Sequence, residues 1–299
     1  MGLVVPLAEG LWRDGIRYDR AEIRRLTGAD EMEIAQGLST RVPAEIATRL
    51  IAAGTARIGA LSPPSLDDVR TLTIGDRERL LLALYRLNMG SRIEAVARCA
   101  EARCGTLLEV NFEVEDLRDS RPIGPSPEVD GRTSATDAEG LVHWIAVETE
   151  AGRWQVQCRL PNGADQEEAA RIARSDPAAA ADSILSRCLV GVFDPEGKAI
   201  PLEAAVAVLR GPISDAFLTL DPLAETTFVL TCPACGTRTT ALFDAASFLL
   251  SRLAPGAGIL TEVHRLARAY HWGEAEILAL PRTRRRKYLE LLAAEGVAA

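Results

Sequence analysis

The stretch "TCPACGTRTTALFDAASFL", residues 231–249, places a Cys-x-x-Cys-Gly turn between two apolar runs. An earlier stretch, "RCAEARCGTLLEVNFEVEDL" at 98–117, has the same order: two cysteines, a Gly after the second, an apolar run and then a Phe. A further similar pair precedes them, with "RRLTGADEMEIA" at 24–35 and "CRLPNGADQEEAA" at 158–170. Because both pairs occur in the same order at nearly the same offset, the sequence predicts an internal duplication.

The patterns around these stretches predict an α+β fold made of two similar halves, each with a short β-sheet and helices ending in a Cys-Gly turn. The clearest helix is "GDRERLLLALYRLNMG", where leucines recur at helical spacing, acidic residues lie in the first turn and a Gly follows the last. In the second half, "LVHWIAVET" and "RWQVQCRL" predict a β-hairpin. The predicted organisation is a first half at 1–117, a linker or exposed loop rich in Pro, Gly, Ser and Asp at 118–140, a second half at 141–253 and a C-terminal helical segment at 254–299.

Four of the six cysteines predict a structural metal site. Zinc bound by thiolates alone needs four soft ligands in a tetrahedron, so one Cys-x-x-Cys turn cannot complete the site. The duplication supplies a second pair. We therefore predict one zinc site formed by Cys99, Cys104, Cys232 and Cys235 that joins the two halves.

Two other interpretations of these cysteines stay open. Cys99 and Cys104 are separated by four residues and lack the Pro of the other turn, so they could be small apolar core residues. Cys232 and Cys235 could instead form a redox pair, although such a motif is expected at a strand-to-helix junction, whereas this turn lies between two β-rich runs. The remaining cysteines, 158 and 188, are predicted to be core residues.

Composition excludes several classes of function. The chain has 299 residues, of which 47% are hydrophobic, and a net charge of −8, which argues against general affinity for nucleic acid or anionic membranes. No apolar run is long enough for a membrane span, and the N-terminus lacks the pattern of a signal peptide, so we expect a cytoplasmic location. The three histidines are scattered, and no nucleophile, phosphate-loop or dinucleotide motif is present. The sequence thus predicts neither an enzyme nor a small-molecule substrate. An enzyme whose site follows no known motif stays open as an alternative, and a pocket with convergent polar groups of shifted pKa would support it.

The C-terminal segment combines an amphipathic helix with a basic one. The apolar stripe of the first is predicted to pack on the second half, and it consists of Ile259, Val263, Leu266 and Tyr270. After a Pro break, the run "RTRRRKY" predicts a charged helix face that contacts an acidic partner. Its outward, partner-binding residues are predicted to be Arg284, Arg285, Arg286 and Lys287.

The string "YHWGEAEILALPRTRRRKYLELL" resembles the C-terminal signature of the baseplate-assembly family of contractile-tailed phages and related contractile injection systems. The stretches "RRLTGADEMEIA" and "LTIGDRERLLLALYRLNMGSRIEAVARC" and the Cys-Pro-Ala-Cys-Gly turn are also similar to that family, so the resemblance covers most of the chain outside 118–140.

The resemblance implies a non-enzymatic structural or assembly protein that acts through contacts with other tail or baseplate proteins. It implies a location in the host cytoplasm during assembly, or in the assembled particle. The alternative function is a zinc-ribbon protein that binds nucleic acid. The nearly neutral residues beside the cysteine turns do not favour that alternative.

Overall fold

The computed structural model describes residues 2–118, 133–137, 140–253 and 258–294. It is a mixed α+β fold with small antiparallel sheets, as the sequence predicted. Within the described ranges, no helix combines the length and the apolar character that a membrane span requires.

The elements fall into two units and a C-terminal module. The first unit (2–118) consists of β1 (Leu3–Arg13), β2 (Ile16–Ile23), α1 (Gly28–Gly37), α2 (Pro43–Gly54), β3 (Thr55–Ile58), α3 (Leu66–Thr71), α4 (Ile74–Met89), β4 (Arg92–Arg98), β5 (Leu107–Glu113) and α5 (Val114–Arg118). A separate strand, β6 (Thr133–Asp137), follows. The second unit (140–253) consists of β7 (Gly140–Thr149), β8 (Gly152–Cys158), α6 (Gly163–Ile172), α7 (Pro177–Cys188), β9 (Leu189–Phe193), α8 (Leu202–Leu220), β10 (Thr226–Thr231), β11 (Arg238–Phe243) and α9 (Ala245–Leu253). The C-terminal module consists of α10 (Gly258–Tyr270), α11 (Glu274–Leu278) and α12 (Arg282–Ala294).

The two units follow nearly the same order of elements. Each begins with an antiparallel hairpin, continues through two helices to a third strand of the same sheet, and then forms a long helix, a second hairpin and a final helix. The helix after the first hairpin has the same N-terminal cap in both units: Thr27 and Asn162 each form a capping box with the Asp three residues later. The short helix α3 has no counterpart in the second unit.

The units interlock at their cores. Helix α9 belongs to the second unit in sequence, but its buried Ala245, Ala246 and Leu249 lie in the first unit's core together with leucines of α4. The second unit has its own core, formed mainly by β7–β9 and α8. Helix α9 therefore completes the core of the other unit, while the core of the second unit remains a separate cluster.

Helix α4 of the first unit docks on α6 of the second. The cap residues Thr73 and Asn162 form an isolated β-bridge, and the Gly163 N–H donates to the Leu72 carbonyl at 3.1 Å. Arg77, which is 1% exposed, packs against Gly163 and donates to the Thr48 hydroxyl at 3.0 Å. A buried guanidinium thus fills the space that the missing side chain of Gly163 leaves open.

The C-terminal module docks on α1 in the same way. Thr27 and Pro281 form a bridge, and the Gly28 N–H donates to the Leu280 carbonyl at 3.2 Å. Arg285, four residues after Pro281 as Arg77 is after Thr73, packs against Gly28. The prediction that Arg285 points outward was therefore wrong.

Arg285 is inward because it shares a helix face with buried Arg282 and Leu292, at a spacing of three and seven residues. Its charge is compensated by Glu31 at 2.9 Å and Glu262 at 2.8 Å. Arg284, Arg286 and Lys287 are exposed.

Other predictions had mixed outcomes. The hairpin over 141–160 and the three C-terminal helices are confirmed. The apolar stripe of α10, however, packs against α11 and α12, so its predicted contact with the second half was wrong. Within the predicted linker, residues 133–137 form β6, which pairs antiparallel with β7. The linker residues 119–132 and 138–139 lie outside the described residues. The N-terminal hairpin β1–β2 was not predicted.

Candidate metal centre

Two β-hairpins carry the cysteines. Strands β4 and β5 pair without a register shift from Arg92↔Glu113 to Arg98↔Leu107, and β10 and β11 pair in the same way. The hairpins pack through aromatic rings, with the Phe112 centroid 4.8 Å from that of Phe228 and 5.2 Å from that of Phe243. Phe112 and Phe243 occupy the same position in the two similar sequence stretches, and in the structure their rings are in direct contact.

The turn of the first hairpin positions Cys99 and Cys104. The Cys99 N–H donates to the Thr106 carbonyl at 2.9 Å, and the Cys104 N–H donates to the Glu101 carbonyl at 2.9 Å. Gly105 follows with a φ of 66°, a left-handed conformation that a side chain would disfavour.

The turn of the second hairpin has a comparable frame. The Cys232 N–H donates to the Thr237 carbonyl at 3.0 Å, and the Gly236 N–H donates to the Cys232 carbonyl at 2.9 Å. Gly236 has a φ of 75°. In both turns a left-handed Gly directly follows the second cysteine, which lets the chain reverse immediately after that sulfur.

The four predicted ligands converge. The sulfurs of Cys99 and Cys235 are 3.6 Å apart and those of Cys104 and Cys232 are 3.7 Å apart, and all four lie within 4.8 Å of one another. A tetrahedron with zinc–sulfur bonds of about 2.3 Å has sulfurs separated by about 3.8 Å. These two separations match that value, and the donor set consists of soft ligands alone, so the residues present fit zinc.

Local electrostatics favour thiolates in the second turn. Burial opposes ionisation of Cys232, but the backbone N–H groups of Cys235 and Ala234 lower its pKa to about 6. Hydrogen bonds from the side chain and backbone of Thr237 likewise lower the pKa of Cys235. The thiolate is the form that binds metal, so these lowered pKa values are compatible with metal binding at the second turn, whereas the pKa of Cys99 in the first turn is raised to about 11.

The remaining two cysteines are confirmed as core residues. Cys158 and Cys188 are both 0% exposed and lie in the second unit's core. Burial raises the pKa of Cys158 to about 12 and also raises that of Cys188. Both thiols therefore stay protonated at neutral pH and are poor metal ligands.

Sequence reasoning missed three buried charged residues that hold segments of the fold together. Asp76 is 0% exposed and accepts the N–H groups of Ala8, Glu9 and Gly10 at 2.6–3.0 Å, where β1 is irregular. Arg77 and Arg285 were also missed. An available signal was the shared spacing of a Leu, a Thr or Pro, and an Arg four residues later.

The fold and site together define a class: an α+β protein whose two hairpins meet at a four-cysteine cluster, with no other potential metal cluster among the described residues. The chain belongs to the family of the T4 bacteriophage base plate protein, because that family's model matches residues 22–250, most of the chain and all four cysteines. Comparisons with curated proteins and with solved structures find no match.

Proposed function

We propose that this chain is a non-enzymatic structural or assembly protein of a contractile tail baseplate. The observation that carries the proposal is the family match over residues 22–250. A protein of this kind acts through contacts with other baseplate proteins, in the host cytoplasm during assembly or within the assembled particle.

In this proposal, Cys99, Cys104, Cys232 and Cys235 hold a structural zinc ion. The convergence of four sulfurs supports it, as does the lowered pKa of Cys232. The ion would link two hairpins that lie far apart in sequence. The matching order of elements, the shared capping boxes and the two left-handed glycines support an origin of the units by duplication.

Elemental analysis tests the zinc proposal. Protein purified without chelator should contain about one zinc per chain, and Cys235→Ser should lose it because three thiolates leave the site open. Cys158→Ser, a change in the buried core, is the matched control and should keep the metal. Absence of zinc in the unmodified chain would contradict the proposal, as would equal metal content in the two variants.

The partner contact is proposed to use the exposed residues Arg284, Arg286 and Lys287 of α12. They form a basic surface on a chain of net charge −8, which suits an acidic patch on a neighbouring protein. Arg285 is left out because it is buried.

Affinity purification from cells that express the surrounding tail genes tests this contact. Reversing the three charges to Glu should reduce recovery of baseplate proteins while the thermal midpoint stays nearly unchanged. Recovery equal to that of the unmodified chain would contradict the contact, and recovery of nucleic acid in place of tail proteins would favour the alternative function. The charges on the two cysteine-bearing hairpins do not favour binding of nucleic acid, because the arginines are matched by an equal number of glutamates. The arginines are Arg92, Arg98, Arg103 and Arg238, and the glutamates are Glu94, Glu101, Glu109 and Glu113.

A further inference from the structure

Strand β4 pairs with β5 alone among the described residues, so one of its edges carries no strand. The Cys99 N–H donates to the Thr106 carbonyl on the β5 side, and backbone groups alternate in direction along a strand. The N–H and C=O groups of Glu94, Val96 and Arg98 therefore point to the free edge.

Both ends of this free edge already have hydrogen-bond partners. At one end the Tyr85 hydroxyl donates to the Arg92 carbonyl at 2.9 Å. At the other end the Ala100 N–H donates to the Thr239 hydroxyl at 3.0 Å. The open part of the edge is thus Glu94–Arg98, and it is symmetric about its central residue.

The space beside the open edge is not filled by another described element. A cleft of about 300 Å³ lies between β4 and β11, and both Val96, which is 62% exposed, and Arg98 line it. Its lining includes three small side chains, Ala95, Ala97 and Ala241. The Arg252 side chain reaches this edge and donates to the Glu94 carbonyl at 2.9 Å. The rest of the open edge is accessible to the backbone of another strand.

The side chains along the open edge complement those of a second copy of the chain. When two β4 strands pair antiparallel about Val96, the two valines meet, and Glu94 of each copy lies directly opposite Arg98 of the other. Unlike charges in directly opposite positions favour pairing, and the exposed valines bury each other. Glu94 is 61% exposed even though it pairs with Arg92 of its own strand, so it can accept a second cation.

The free edges of the other three hairpin strands lack this complementarity. The same pairing of β5 would place Glu109 of one copy opposite Glu113 of the other, which is repulsive. Pairing of β11 would place Arg238 opposite Leu242, and the free edge of β10 carries no charged side chain. Charge complementarity thus selects β4.

We propose that the open edge of β4 pairs with the same edge of a second copy, which gives a twofold dimer with one continuous sheet in the order β5–β4–β4–β5. A twofold contact uses the same surface on both copies, and the edge is self-complementary in this way. The inference goes beyond the proposed function and depends neither on the family match nor on zinc occupancy.

Sedimentation equilibrium of the full chain tests the dimer at concentrations up to about 1 mM. Val96→Pro should weaken association by at least about tenfold, because its N–H points away from β5 and proline removes the donor of the edge without breaking the hairpin. Val229→Pro is the matched control: this valine is 57% exposed, its N–H points to the free edge of β10, and association should change less than about twofold. A chain that stays monomeric throughout, or equal weakening by the two prolines, would overturn the proposal.

Reversal of single charges tests the antiparallel register without proline. Glu94→Arg and Arg98→Glu should each weaken self-association by at least about fivefold, because like charges then lie opposite each other. An equimolar mixture of these two variants should form dimers again, since every opposed pair in the mixed dimer is unlike. Failure of the mixture to associate would overturn the proposal. A monomeric chain that loses a baseplate protein from affinity purification on Val96→Pro would also overturn it, and would assign the edge to that protein instead.

Discussion

At the scale of single residues, buried charges with several partners position the backbone. Asp76 lies at the start of α4, and its carboxylate accepts hydrogen bonds from three N–H groups of β1. These groups lie where the register of β1 is irregular, so they do not pair with β2. Asp165 of α6 pairs with Arg159, which directly follows β8, and with Arg187 of α7. Asp76 thus joins segments distant in sequence, and Asp165 joins neighbouring segments of the second unit.

Asp76→Ala should destabilise the chain strongly. Three buried N–H groups would lose their acceptor, and each unpaired group costs about 1–3 kcal/mol, so we expect a loss of at least about 3 kcal/mol in the free energy of unfolding, measured by urea titration. Asp67→Ala is the control, because that side chain is 89% exposed and forms only a surface pair with Arg70; it should change stability by less than about 0.5 kcal/mol. Similar losses in both variants would contradict the role given to Asp76.

Asp165 should make stability depend on pH in the acid range. Burial opposes its ionisation, but hydrogen bonds and charges from Arg159 and then Arg187 hold its pKa below the usual value. A lowered folded-state pKa gives stability that is present above the unfolded value of about 3.9 and is lost as the pH falls through the folded value. Asp165→Asn should therefore flatten the decline of the urea midpoint below about pH 4.

The equivalent change in the first unit gives a graded comparison. The pKa of Asp30 is also lowered: burial opposes the shift, and the hydrogen bond from Arg24 drives it. Because Asp30 is 15% exposed and Asp165 is 0% exposed, Asp30→Asn should flatten the pH profile less. Profiles parallel to that of the unmodified chain in both variants would show that neither carboxylate contributes.

At the scale of elements, two helices each begin with a Gly against which another helical segment packs. Gly163 begins α6 beneath the Arg77 guanidinium, and Gly28 begins α1 beneath Arg285 and Leu278. In each case a β-bridge formed by the N-cap residue joins the two helix starts, and the buried arginine lies four residues after the bridge residue of its own segment. The absence of a side chain is what permits this close approach.

Gly163→Ala should therefore destabilise the chain, although Ala favours helices. The new methyl group would collide with the Arg77 side chain, which is 1% exposed and has little room to move, so we expect a loss of about 1–3 kcal/mol by thermal or urea unfolding. Gly211→Ala in the exposed middle of α8 meets no atom within 4 Å outside its chain neighbours and its own helix backbone. Because Pro212 follows it and disfavours a side chain at this position of a helix, the gain in helix propensity is offset, and we expect a change within about 0.5 kcal/mol. The idea fails if both substitutions lower stability by similar amounts.

At the scale of the whole molecule, the two units depend on each other. Helix α9 completes the first unit's core, α4 docks on α6, and the cysteine cluster joins the two cysteine-bearing hairpins. Structural zinc binding contributes about 10 kcal/mol or more of apparent free energy at neutral pH, comparable to the stability of a whole domain. Under the proposed zinc occupancy, the ion would be a main link between the hairpins.

Metal removal should loosen the hairpins first. After chelation at neutral pH, amide hydrogen exchange in β4, β5, β10 and β11 should accelerate by at least about tenfold, because the turns lose their shared ligand. The three-stranded sheet β1–β2–β3 has its own buried side chains and should change little. Unchanged exchange in the hairpins would mean that side-chain packing alone, such as the contact between Phe112 and Phe228, holds them together.

Local signals let the sequence by itself determine much of this protein. The hairpin of the second half, the long α4 helix and the three C-terminal helices were predictable because periodicity, caps and Gly or Pro breaks act within a few residues. The two cysteine pairs were predictable as partners because a tetrahedral thiolate site needs four ligands.

Only the tertiary structure decided which distant groups meet. Three contacts depend on partners far away in the chain: Arg285 points inward to Glu31, α9 packs in the core of the first unit, and Asp76 accepts hydrogen bonds from β1. The spacing that Arg285 shares with Arg77 could mark it as a docking residue, but it does not identify the carboxylates that meet it: an arginine run has the same helical spacing whether its carboxylate partners are present or absent. Burial of a charge becomes favourable only when the folded chain brings Glu31 and Glu262 within 3 Å of it.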